Sequence, residues 1–119
     1  MKKTITKSYR SVGYATNGLK IVWNEEHNFR IAVFCSLFVL FFAFYFNFSF
    51  EEFVFCIIAI TLVLSSEIIN TAIEDLCNKV EPDQHPLIKK IKDTSATFVF
   101  ISSFGALMMG ILVFIHHFF

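Results

Sequence analysis

At 119 residues the chain is long enough for one domain and too short for two, and its 10 basic and 10 acidic residues cancel. That balance excludes the basic surface of a nucleic-acid binder, so no nucleic-acid partner is expected. With 55% of residues hydrophobic and most charges confined to 1–30 and 74–93, the remaining stretches have almost nothing polar to turn toward water, as a soluble fold of this size requires.

The N-terminus, MKKTITKSYR, is basic, but no apolar run follows it closely, so a cleaved signal peptide is not expected. Residues 4–28 read as an amphipathic helix lying on a membrane surface. Ile5, Tyr9, Val12, Leu19 and Val22 supply an apolar face, and Lys7, Arg10 and Lys20 face headgroups. Gly13 and Gly18 predict a break or bend in it. Residues 31–50, rich in Phe, Val and Leu, carry no charged side chain. At about 1.5 Å per residue they cover roughly 30 Å, the thickness of a bilayer core.

Residues 53–73 form the second predicted span, interrupted by Glu67 and Asn70, and residues 94–119 the third. Between them, 75–93 reads as a loop, with turn signals at Glu81-Pro82-Asp83 and His85-Pro86 and a short helix from Leu87. The fold class is therefore all-α integral membrane, with three transmembrane helices, a surface helix and a single domain over 1–119. The alternative, buried helices of a soluble bundle, leaves too little polar sequence to cover them.

Basic residues set an expected orientation. Lys2, Lys3, Lys7, Arg10, Lys20 and Arg30 precede the first span, and Lys79, Lys89, Lys90 and Lys92 lie between the second and third. The short first loop holds only Glu51 and Glu52. By the positive-inside rule the N-terminus is cytoplasmic. Cys35, Cys56 and Cys77 lack any CxxC spacing and read as buried small hydrophobes, while most of the 17 Phe read as lipid-facing. Gly105, Ala106 and Gly110 read as helix-packing positions, and His116 and His117 as interfacial residues.

Chemistry concentrates at Glu67, Asn70 and Glu74. Around a helix, Asn70 lies about 60° and Glu74 about 20° from Glu67, so all three share one face. An intramembrane carboxylate is costly and points to a polar site or partner. One reading is that Glu74 sits in interfacial water and Glu67 pairs with a polar neighbour. The other is catalytic. Glu26, Lys92 and Asp93 fall at the same membrane level as Glu74. Carboxylates there suit Mg²⁺, and Lys92 suits phosphate charge. Glu67, set deeper, is suited to accept a proton from a lipid hydroxyl. No glycine-rich phosphate loop is present.

At Glu67-Ile-Ile-Asn-Thr-Ala-Ile-Glu74 the sequence resembles the prokaryotic diacylglycerol kinase family, which includes undecaprenol kinases. Gly18-Leu-Lys-Ile-Val-Trp23 with Glu26 and Phe29-Arg30, and His85-Pro-Leu with Lys92-Asp93, resemble two further blocks of that family in the same order. The resemblance implies an ATP-dependent kinase acting on a membrane lipid alcohol in the bacterial inner membrane, and a homotrimer with sites shared between subunits. It implies Glu67 as catalytic base with Asn70 beside it, and Glu26 and Glu74 on Mg²⁺ and the nucleotide phosphates. Lys7, Tyr14, Asp83, Gln84, His85, Lys92 and Asp93 would contact ATP, while Lys20, Trp23 and Arg30 would border the lipid. Asn78 stands where the family usually has Asp. Diacylglycerol and undecaprenol both remain as acceptors. A small multispan transporter subunit or a non-catalytic scaffold are the readings from other classes.

Overall fold

The structure, a computed structural model, describes residues 1–119 and is almost wholly helical. In chain order it comprises α1 (Lys2–Glu25), α2 (His27–Tyr45), α3 (Phe50–Val80) and α4 (Pro86–Phe118). Helices α2, α3 and α4 are each long and apolar enough to cross a membrane. Only 12 of 119 residues are buried, so most of the apolar surface must be covered by lipid or by other chains rather than by water.

Helix α1 runs unbroken through Gly13 and Gly18, where a bend was expected. Each helical glycine costs only about 1 kcal/mol, which the surrounding turns outweigh. The helix ends at Glu26, the single extended residue (φ −108°, ψ 107°) before α2 begins. Arg30 holds this elbow: its Nη1 donates to the carbonyls of Trp23 at 2.7 Å and Asn24 at 3.1 Å. Those carbonyls belong to the last turn of α1, where helical partners run out. Trp23 also packs on Phe34, with ring centroids 5.9 Å apart. Three helices side by side span only about 30 Å. The molecular extents of 51 × 46 × 23 Å therefore require α1 to turn away from the bundle.

Helix α3 is the centre of that bundle, packing against α4 most extensively and against α2. It starts in a capping box: Ser49 Oγ accepts from the Glu52 amide at 3.2 Å, and Glu52 Oε1 accepts from the Ser49 amide at 2.8 Å. The turn before it uses Asn47 at φ 55°, a conformation that asparagine tolerates. Glu52 is buried, and its two oxygens also meet His116 Nδ1 at 3.3 Å and His117 Nδ1 at 3.0 Å. The two histidines thus clasp the end of α4 to the start of α3. Beside the clasp Phe42 meets Phe46, Phe48, Phe114 and Phe118, so part of the phenylalanine content is internal packing.

With 31 and 33 residues, α3 and α4 are about 45–50 Å long, well beyond a bilayer core of about 30 Å. Both continue past the membrane at the end that carries Glu74 and Lys92. Segment 75–93, expected as a loop, is accordingly mostly helix, and only residues 81–85 leave it. Pro86 opens α4 at its first turn, where a missing N–H costs nothing, and His85 Nδ1 accepts from the Leu87 amide at 3.1 Å.

A Cβ added at Gly105 or Gly110 would meet nothing within 4 Å, so the close helix packing expected there is not made within one chain. Ala106 and Gly110 instead line an apolar cleft of about 620 Å³ formed by α2, α3 and α4. All three cysteines are free, and Cys35 is exposed rather than buried.

Replacing Glu52 by Ala removes the side-chain half of the capping box and the shared acceptor of both histidines, while the Ser49 cap on the residue 52 amide remains. Its thermal midpoint in detergent micelles is expected to fall by a few degrees. His116→Ala, at a more exposed member of the clasp, is expected to cost less.

Candidate functional site

The α3 stripe faces protein. Glu67 is 9% exposed, and its neighbours Ser66 and Thr71 are buried. Their hydroxyls bond back to the helix, Ser66 to the Val63 carbonyl at 2.7 Å and Thr71 to the Glu67 carbonyl at 2.9 Å. No buried side-chain nitrogen or oxygen is left without a partner, which the low dielectric of a membrane protein demands. Glu67 lies within the electrostatic reach of both Glu26 and Glu74. The elbow between α1 and α2 therefore delivers Glu26 to the acidic face of α3.

Asn70 ties this face to α4. Its Nδ2 donates to Glu74 Oε1 at 3.1 Å, and its Oδ1 accepts from Ser95 Oγ at 2.8 Å. Because Ser95 fills the amide oxygen, the amide nitrogen is turned toward Glu74 and orients that carboxylate. Ser95 is buried. Sequence reasoning missed it, since a serine in Thr94-Ser95-Ala96-Thr97 has no spacing that separates it from its neighbours.

Beyond the stripe, Asp83, Gln84, His85, Lys92 and Asp93 all line one polar cavity of about 480 Å³, together with Lys89. The short 81–85 turn and the first turns of α4 bring them together. Within this wall Lys92 and Asp93 are not partners. Lys92 Nζ donates to Asn78 Oδ1 across the helix pair at 2.6 Å, whereas Asp93 pairs with Lys89 at 2.6 Å. Asn78 lies one helical turn beyond Glu74, so Lys92 links the cavity to the acidic stripe.

The other sequence candidates are less converged in the single chain. Lys7, Tyr14 and Lys20 are exposed along α1. Trp23 is partly covered by Phe34, and Arg30 is engaged by the end of α1. No group of three or more His, Cys, Asp or Glu side chains forms a ready-made metal cluster. Glu26 and Glu74 are nonetheless hard oxygen donors close enough to repel each other. The Glu26 carboxyl is held above its ordinary value of 4.5, first by burial, then by Glu74, Asp75 and Glu25, against the opposing charge of Arg30. Two carboxylates suit Mg²⁺, which keeps water and phosphate oxygens as its remaining ligands.

Three spanning helices around a buried acidic face define an integral membrane protein with a polar centre at one end of its bundle. Residues 13–114 match the family model described as prokaryotic diacylglycerol kinase. A diacylglycerol kinase of Helicobacter pylori is 33% identical over 95 residues, spanning 80% of this chain and 74% of the relative. An undecaprenol kinase of Bacillus subtilis is 26% identical over 114 residues, spanning 96% and 93%. A diacylglycerol kinase of Escherichia coli is 26% identical over 113 residues, spanning 95% and 93%.

The chain belongs to the prokaryotic diacylglycerol kinase family. It is a lipid kinase and a multi-pass membrane protein, and the transporter and scaffold readings are set aside.

The raised Glu26 value has a definite sign. A folded value above the unfolded one means that the folded chain loses stability as pH rises from 4.5 through the folded value. Glu26→Gln is expected to raise the thermal midpoint of the metal-free protein at pH 7 and to flatten its pH dependence across that window. Unfolding followed in micelles with chelator present checks this.

Proposed function

We propose that the chain transfers the γ-phosphoryl group of ATP to the hydroxyl of diacylglycerol, forming phosphatidic acid and ADP. The observation that carries this reading is the acidic face of α3, with Glu67 buried and Asn70 bonded to Glu74, at the end of the bundle where the polar cavity opens. A lipid hydroxyl reaches that carboxylate from the membrane, and a nucleotide reaches the cavity from water.

Glu67 accepts the hydroxyl proton as the lipid oxygen bonds to the γ-phosphorus. The bond from that phosphorus to the bridging oxygen breaks, and ADP carries the electron pair away. Proton removal of this kind contributes about 10²- to 10⁴-fold. Glu26 and Glu74 would hold Mg²⁺ together with the nucleotide phosphates, and Asn70 keeps Glu74 oriented for that role. When bound, the ion supplies positive charge to phosphate oxygens. Lys92 adds charge stabilisation from α4, and Asp83, Gln84 and His85 contact the nucleotide from the cavity wall.

The same reading gives Lys7 and Tyr14 nucleotide contacts, and puts Lys20, Trp23 and Arg30 beside the lipid, in a homotrimer where neighbouring chains complete the site. The apolar cleft and the unpacked Gly105 and Gly110 support assembly of this kind. The distribution of basic residues supports a cytoplasmic N-terminus in the bacterial inner membrane.

Purified protein with Mg²⁺ and labelled ATP, offered diacylglycerol and undecaprenol in parallel, tests the acceptor. Preferential labelling of diacylglycerol is expected; preferential labelling of undecaprenol reassigns it. Glu67→Gln is expected to lower turnover at least about 10²-fold while nucleotide binding persists. Full turnover in that variant removes the base. Glu74→Ala is expected to raise the Mg²⁺ and ATP concentrations needed for half-maximal rate about tenfold or more.

A further inference from the structure

We infer that Asn78 is a positioning residue for phosphoryl transfer, aiming Lys92 at the nucleotide phosphates through a neutral hydrogen bond across α3 and α4. The inference rests on the phosphate role proposed for Lys92. Lys92 Nζ lies 2.6 Å from Asn78 Oδ1, and the two residues are 14 positions apart on antiparallel helices. A lysine side chain has four rotatable bonds, so a point charge of this kind is useful only where something restricts its direction.

The neighbouring contact shows what the amide changes. Lys89 also lines the cavity, but its ammonium is matched by the Asp93 carboxylate at 2.6 Å. Lys92 meets an uncharged oxygen instead. That bond uses one of three ammonium donors and leaves two, with the full positive charge, for an anionic ligand. An amide at Asn78 also adds no negative charge beside the phosphates. The cavity therefore contains one lysine that is internally neutralised and one that is aimed but uncompensated.

Asn78 is exposed, so its replacement has little to disturb in packing. Asn78→Leu matches its size without accepting a hydrogen bond. It is expected to raise KM for ATP roughly 3- to 10-fold, with a smaller fall in kcat and an unchanged KM for the lipid. Asn78→Gln, which retains an uncharged acceptor oxygen, is expected to recover most of that loss. In a Lys92→Met background Asn78→Leu is expected to add nothing, because the group it aims is gone.

The proposal is overturned if Lys92→Met is impaired while Asn78→Leu matches the parent, if the two losses simply multiply, or if Asn78→Gln fails to rescue. Each of those results leaves the role of Lys92 standing. A Lys92→Met enzyme with parental kinetics instead removes the phosphate role of Lys92, and the role of Asn78 falls with it.

Discussion

A carboxylate on a membrane-spanning helix governs this molecule, because desolvating it costs more than any single packing contact returns. Glu67 cannot face acyl chains, so α3 must turn its acidic face toward other protein. That requirement makes α3 the central helix, with α2 and α4 laid against it. It also accounts for the density of small polar residues around the stripe. Ser66, Asn70, Thr71 and Ser95 satisfy one another or the helix backbone, and bulky apolar side chains there would close the polar space.

Two ends of the bundle serve different purposes. At one, Glu52 is wholly engaged by its cap and two histidines and packs beside a phenylalanine cluster. At the other, α3 and α4 outrun the bilayer and present charged groups across a cavity to water. A rigid two-helix extension holds those side chains more closely than a flexible loop would. The lipid-kinase activity of the family thus has a physical setting in which an apolar and a water-soluble reactant meet at one acidic face.

Much of this was legible in the sequence. Charge-free runs of spanning length have only one stable environment, so the spans follow from hydropathy. The i, i+3, i+7 spacing of Glu67, Asn70 and Glu74 puts them on one face whatever they pack against. The blocks around Trp23, Glu67 and Lys92 carry a resemblance to the family whose model matches residues 13–114. Of the residues that the resemblance gives to the nucleotide, Asp83, Gln84, His85, Lys92 and Asp93 line one cavity, whereas Lys7 and Tyr14 lie exposed on α1.

Hydropathy and helical periodicity are local properties, and the sequence by itself determined what depends on them: spans, the acidic face and family membership. Contacts between helices depend on their relative rotation and length, which no short window contains. Lys92 finds Asn78 across 14 residues, Ser95 finds Asn70 across 25, and His116 finds Glu52 across 64. Lys92 and Asp93 are adjacent, yet consecutive helical positions diverge by about 100°, and the two find different partners. Only the packed structure decided those partners, because each bond exists only once two helices are in register.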